Sequence, residues 1–188
     1  MLLSKKKRKE YFKLLNLGEY NTSNILKLQR IYFIRKSDHD GIYGKDTDIL
    51  LRHLVNCREV RNFQPQEFRC ECAGEYCTGY PNRMRLVQLK LLQEVRDHYN
   101  KPMYIMSGLR CKKCNSILGG IRTSKHLTGY ATDFYMSGIT DTINNKEKTI
   151  EYLKTLDNFV YAYGDGIDSN NKKERHPKMG ASLHVQTR

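Results

Sequence analysis

The chain has 188 residues, enough for one or two domains, and nothing in it approaches the ~20 consecutive apolar residues that a membrane-spanning helix needs. Lys and Arg number 33 against 20 Asp and Glu, a formal charge of +13 with a pI near 9.5, which favours a polyanionic partner: nucleic acid, a membrane surface or an anionic cell wall. Residues 1–60 hold 13 Lys/Arg and 7 Asp/Glu, so the surplus is spread along the chain and is not only a tail.

The opening stretch "MLLSKKKRKEYF" has charge but no apolar run behind it, so it is not read as a secretory signal, and synthesis in a cytoplasm is expected. "KKKRK" reads as a solvated, frayed start, with a nucleic-acid arm as the alternative. Next, "SNILKLQRIYF" predicts a helix capped by Ser23 or Asn24, with Ile25, Leu28 and Tyr32 on its apolar stripe. "DHDGIYG" is turn chemistry, and "KDTDILLRHLV" predicts a second helix capped by Asp46 or Thr47, with Ile49, Leu50 and Leu54 facing a core. In "ILKLQRIYF", "DGIYG" and "TDILLRHL" this segment resembles a small helical peptidoglycan-binding module: a helix with a Leu-Gln pair, a D-G-x-x-G turn, and a helix opened by Thr. The plain alternative is a generic helical hairpin.

Residues 57–66 read as a connection. A Cys/Gly stretch follows, "FRCECAGEYCTGYP", and then "NRMRLVQLKLLQEVRDHYN", the clearest helix in the chain, with Met84, Val87, Leu91 and Val95 on one face. "KPMYIMSG" predicts a short buried strand between Pro102 and Gly108. A short helix is expected over 111–119, a strand in "GYATDFYM", a helix in "NNKEKTIEYLKTLD", and strands in "NFVYAYG" and "SLHVQTR". "DGIDSNNKKERHPKMGA" is read as a polar, flexible insert. The fold class expected is α+β. A small antiparallel sheet with flanking helices (59–188) would carry the site, preceded by a small helical module (1–58).

Six cysteines stand at 57, 70, 72, 77, 111 and 114. In a cytosolic chain they are expected to be free thiols or metal ligands and not disulfides. Cys70, Cys72 and Cys77 with Cys111-x-x-Cys114 offer a structural zinc site, although the C-x-C half is not a standard zinc-finger frame.

His126, Asp133 and His184 are the candidate metal ligands, because imidazole and carboxylate suit zinc and three protein ligands leave a position for water. Period-2 alternation puts Ala131, Asp133 and Tyr135 on one face of their strand, and Ser182, His184 and Gln186 on one face of theirs. Two neighbouring strands would thus present Asp133 and His184 together, with His126 arriving from the preceding loop. H-x6-D alone is a weak signal. The wider pattern is Ser107-Gly108-Leu109-Arg110, Asn115, Gly119-Gly120, Ser124-x-His126, Gly129, Ala131, Asp133 and a late His184-Val185. It resembles the zinc D-Ala-D-Ala carboxypeptidase family of peptidoglycan peptidases over residues 63–188.

The resemblance implies that His126, Asp133 and His184 bind Zn2+. Arg110 would orient substrate or stabilise the oxyanion, and Ser124 would support a ligand or bind substrate. Gly129 and Ala131 would be small because backbone or substrate passes close. One departure stands out. Members often carry an acid or a second His near the late ligand, where this chain has Ala181, Ser182 and Gln186. The general base is therefore sought in the insert, among Asp165, Asp168, Glu174 and His176, with His176 favoured.

The expectation is a zinc-dependent peptidase acting on the stem peptide of bacterial peptidoglycan, with anionic wall polymers as further partners. A wall-directed domain without a leader resembles a phage endolysin or tail lysin, released through a membrane lesion or by injection. A catalytically inactive, zinc-containing wall-binding protein is the alternative. Nucleic-acid binding lacks support, since no aromatic-basic motif or standard finger frame is present.

Overall fold

In the computed structural model, which describes residues 1–170 and 179–188, the first third of the chain is helical. Helix α1 spans Lys5–Leu14 and is capped by Ser4, whose side chain accepts from the Lys7 amide. "KKKRK" is therefore part of a docked helix and not a frayed start. Lys and Arg are good helix formers, and the helix has anchors at both ends. The Leu3 amide donates to Asp48 Oδ1 at 2.6 Å. The Arg8 guanidinium lies 4.1 Å over the Tyr43 ring and donates to the Tyr20 hydroxyl, and Phe12 is fully buried.

Helix α2 spans Thr22–Tyr32 and starts earlier than expected, because Asn21 supplies the cap by accepting from the Asn24 amide. Helix α3, Lys45–Arg58, follows Gly44 with no side-chain cap. Asp48 turns inward instead, accepting from Leu3, from the Tyr43 hydroxyl at 3.0 Å and from Arg52 Nε at 2.7 Å. Gln29 locks the turn between α2 and α3. Its amide nitrogen donates to Asp40 Oδ1 and the Ile42 carbonyl, and its amide oxygen accepts from the Gly41 N–H. The Leu-Gln pair and the Asp-Gly turn are thus halves of one hydrogen-bonded unit.

The second part begins with a short 3₁₀ helix, Pro65–Phe68, and helix α4, Leu86–Tyr99. Leu89, Leu91, Leu92 and Val95 are the apolar positions buried in α4, while Met84 is buried just ahead of it and Val87 is only half-buried. Strands β1 (Tyr104–Ser107), β2 (Ala131–Tyr135), β3 (Phe159–Gly164), β4 (Ile167–Asp168) and β5 (Leu183–Thr187) form one antiparallel sheet in the order β1-β2-β5-β3-β4. Helix α5 (Lys112–Ile117) lies between β1 and β2, and α6 (Ile143–Lys154) between β2 and β3. Among the described residues this gives six α-helices and five strands, an α+β fold. Strand β1 is an edge strand with Tyr104 and Met106 exposed, where a buried strand was expected. Strand β4 lies inside the insert read as flexible, and Ile167 and Asp168 are both buried.

Helices α4 and α6 cover one face of the sheet. Gln88 of α4, fully buried, donates to Thr132 Oγ1 and the Val185 carbonyl and accepts from Thr187 Oγ1. Lys146 of α6 lies against Gly164 on the same face as Leu183. The hydrophobic core is continuous from Phe12 and Leu28 through Leu51, Phe68 and Leu92 to Leu183 and Val185. His53 bridges its two ends. Its Nε2 donates to the Pro65 carbonyl at 3.0 Å and its Nδ1 accepts from the Met84 amide at 3.2 Å.

Burial pushes His53 down to about 4. Below pH 6.5 the unfolded chain takes up a proton at this site that the folded chain does not, so stability falls as the pH drops from 6.5 towards 4, by about 3 kcal/mol in all. Above pH 6.5 this contribution is fully present. Urea unfolding at pH 7 and pH 5 should show the wild type losing about 2 kcal/mol more than His53→Gln over that interval. Equal losses would mean that His53 is not the group responsible.

Candidate metal centre

Directly opposed residues of an antiparallel sheet project to the same face. Ser107 is opposite Asp133, Asp133 opposite His184, His184 opposite Tyr163, and Tyr163 opposite Asp168. One row of five side chains therefore crosses the sheet on the face away from α4 and α6. The expected adjacency of the Asp133 and His184 strands is present.

His126 comes from a 3₁₀ helix, Lys125–Leu127, just ahead of β2. Its Nδ1 lies 2.7 Å from the Gly108 carbonyl oxygen. A carbonyl only accepts, so Nδ1 carries the proton and Nε2 keeps its lone pair. That Nε2 is 3.4 Å from Asp133 Oδ1 and 3.3 Å from His184 Nδ1. His184 Nδ1 in turn donates to Asp133 Oδ1 at 2.6 Å. All three residues are buried, and their ligand atoms lie within 4.8 Å of one another.

Burial opposes ionisation of Asp133, but the two imidazoles facing it, with His184 donating to Oδ1, hold its carboxyl well below the usual range. Burial holds His184 below its ordinary value against the pull of Asp133. At neutral pH the carboxylate is charged and the His184 imidazole uncharged, the forms a metal ion needs. Two imidazole nitrogens and one carboxylate oxygen make a donor set that fits zinc.

The surrounding residues hold these three in place. Arg110 Nη2 donates to Asp133 Oδ2 at 2.6 Å and its Nε to Ser107 Oγ at 2.9 Å, so the guanidinium grips the oxygen that does not face the histidines. Its Nη1 makes no hydrogen bond among the described residues. Asn115 donates to the Gly120 and Ile121 carbonyls, tying down the loop that leads to His126. The Ser124 amide bonds Ile121 and its carbonyl accepts from Leu127, while no side-chain hydrogen bond is made among the described residues. A Cβ on Gly108 would come within 2.7 Å of the Phe68 backbone, and one on Gly129 would run into the Arg83 carbonyl oxygen. Both glycines mark backbone crossings at the site, as the small residue at 129 had implied.

The candidate bases are not gathered here. Asp168 is buried in β4, where it accepts from the Tyr161 hydroxyl at 3.0 Å and the Asn170 amide at 2.8 Å. Two strand spacings of about 4.8 Å each separate it from His184. Asp165 lies in the β3–β4 turn. Glu174 and His176 lie outside the described residues. Tyr163 was missed in the sequence; its ring stacks on His184 at 4.4 Å between centroids. Burial, and then the charge of Asp133, raise its phenol above the usual value, so it stays protonated. Its place in "YAYG" fixes its parity along β3, but only the strand order shows that it faces His184.

A family model for Peptidase M15 matches residues 61–170. The chain belongs to the peptidase M15 family. The matched segment includes Arg110, Asn115, Ser124, His126 and Asp133, and stops before His184, which the fold brings to them. The N-terminal helices, residues 1–60, lie outside it. No curated protein matches the chain. Among the described residues no helix is long and apolar enough to cross a membrane.

In this M15 domain Gly129 couples the approach to β2 with the Arg83 backbone, so Gly129→Ala should cost roughly 3 kcal/mol in urea unfolding. Gly138 has a similar φ of +75° with nothing within 4 Å of an added Cβ. Gly138→Ala should therefore cost only about 1 kcal/mol. Similar losses for the two would show that the backbone crossing at Gly129 is not a constraint.

Proposed function

We propose that the protein is a zinc-dependent peptidase that hydrolyses an amide bond in the stem peptide of bacterial peptidoglycan. The observation that carries this reading is the convergence of His126 Nε2, Asp133 Oδ1 and His184 Nδ1 in a peptidase M15 domain. The motif pattern from Ser107 to Val185 and the charge of +13, suited to an anionic envelope, support the substrate class.

His126, Asp133 and His184 are the residues that would hold the metal. When bound there, zinc supplies Lewis-acid polarisation of the scissile carbonyl and acidification of water. The chain does the rest. Gly108 keeps the His126 proton on Nδ1, away from the ligand atom. Arg110 occupies Asp133 Oδ2 and leaves Oδ1 to the site. The Nη1 of Arg110 remains to bind a substrate carbonyl or carboxylate, the role proposed for it in positioning and charge stabilisation. Tyr163 supports the ring plane of His184. Ser124 shapes the turn that delivers His126. His176 remains the proposed general base, supplied by the 165–181 segment.

The N-terminal helices are proposed to bind the wall polymer, and the setting to be that of a phage endolysin or tail lysin. A second reading is favoured by one observation. Ala181, Ser182 and Gln186 surround His184 in sequence, and the group has no carboxylate besides Asp133 among the described residues. A zinc-containing wall-binding protein without hydrolytic activity would look the same there.

Mass spectrometry of fragments released from purified peptidoglycan tests both. Zinc-loaded wild type should create new amine and carboxyl ends at one stem-peptide bond. His126→Ala should reduce the yield by at least about 100-fold, as expected when an interaction central to the transition state is lost. Intact stem peptides with wild-type protein bound to the sacculi would replace the enzyme reading with the binding one.

A further inference from the structure

Among the described residues one other cluster of metal-ligating atoms stands apart from the His/Asp/His group. The sulfurs of Cys70, Cys72, Cys77 and Cys111 lie within 4.8 Å of one another. Cys72 Sγ and Cys77 Sγ are 3.5 Å apart, and all six cysteines of the chain are free thiols. With Cys114 these residues form a satellite core separate from the main one, containing no aliphatic or aromatic side chain. A small core made only of thiols has little apolar area to hold it together. The segment it closes, from Cys70 to Tyr80, has no helix or strand and uses positive φ at Ala73, Gly74 and Gly79.

We infer that Cys70, Cys72, Cys77 and Cys111 bind a structural zinc ion as a tetrathiolate, distinct from the candidate catalytic metal. Zn–S bonds of about 2.3 Å in a tetrahedron put the sulfurs about 3.8 Å apart, so the observed spacing needs little adjustment. Backbone amides already point at three of the sulfurs: Gly79 N–H to Cys77 at 3.4 Å, Cys111 N–H to Cys70 at 3.3 Å and Cys114 N–H to Cys111 at 3.4 Å. Such N–H···S bonds stabilise thiolate charge. On binding, four thiols lose their protons to solvent and form four Zn–S bonds, leaving a site of net charge −2. Arg69, Arg110, Lys112 and Lys113 adjoin the ligands in sequence and offset that charge. Cys114 is the fifth thiol and is not required.

The site would act on the peptidase centre through position. Cys111 follows Arg110 directly, and Glu71, between two of the ligands, lies 3.9 Å from Arg110 Nε. The Leu109 amide also bonds the Phe68 carbonyl at 2.9 Å. The metal would clamp the 70–80 loop to the segment that carries the guanidinium gripping Asp133.

The test is metal content of the full chain, purified under reducing conditions and loaded with zinc or with cobalt(II). Two zinc ions per wild-type chain are expected, and one in a His126→Ala/His184→Ala variant. The cobalt form of that variant should keep the intense near-ultraviolet thiolate-to-cobalt absorption of a four-sulfur site. Cys72→Ser and Cys77→Ser should each weaken that band by at least about a quarter, since one of four Co–S bonds is lost, while Cys114→Ser and Cys57→Ala should leave it unchanged. The wild-type cobalt spectrum decides the matter even if a cysteine variant fails to fold. A single zinc lost entirely with the two histidines, a folded cobalt form without the thiolate band, or a Cys72–Cys77 disulfide in the reduced preparation would each overturn the inference.

Discussion

The pairing of Asp133 with His184 across β2 and β5 is the constraint on which the site depends. A slip of one residue in either strand would turn that strand's side chain to the helix-covered face and part the pair. The register is secured from behind by a polar clamp in the core. Gln88 is buried, yet it reaches both strands at once, through Thr132 on one side and Val185 and Thr187 on the other. A buried amide is costly unless satisfied, so any other register would leave it without partners. The clamp on the helix-covered face thus determines what appears on the opposite one.

Around that row, three irregular segments are held by crossings and not by regular structure. The chain near Phe68 crosses behind Gly108, the chain near Arg83 crosses behind Gly129, and Asn115 gathers the loop ahead of His126. Arg110 is where these supports meet the site. It touches Ser107 of β1, Asp133 of β2 and, more loosely, Glu71 of the cysteine loop. Its contact in this structure holds Asp133 in orientation, and any contact with substrate would be made by what remains of the same side chain.

Much of this was legible in the sequence, for identifiable reasons. Alternation along "GYATDFYM" and "SLHVQTR" put Asp133 and His184 on defined faces, and the resemblance to the peptidase family's motifs singled out His126 and Arg110. Helices α4 and α6 followed from their apolar periodicity. What escaped was locally ambiguous, too short to show a period, or dependent on long-range partners. Asn21 capped α2 because capping competes among neighbouring Asn and Ser residues whose propensities are alike. The basic start became a helix because Asp48, Tyr20 and Tyr43 await it 12 to 45 residues away. Strand β4 is two residues long, too short for any period to register. Nothing in the sequence singled out Gln88 or Tyr163; only the strand order gave them their places.

The continuous core also bears on how the two parts of the chain work together. His53 on α3 is bonded to Pro65 and to Met84, and the apolar contacts run from Phe12 to Val185 without a polar break. A module on a flexible linker lets its partner search a volume. Helices joined through a shared core cannot do that. A partner bound on the outer surface of α1–α3, as proposed for the wall polymer, would be held at a set distance and angle from Asp133, so these helices would serve as a ruler and not as a tether.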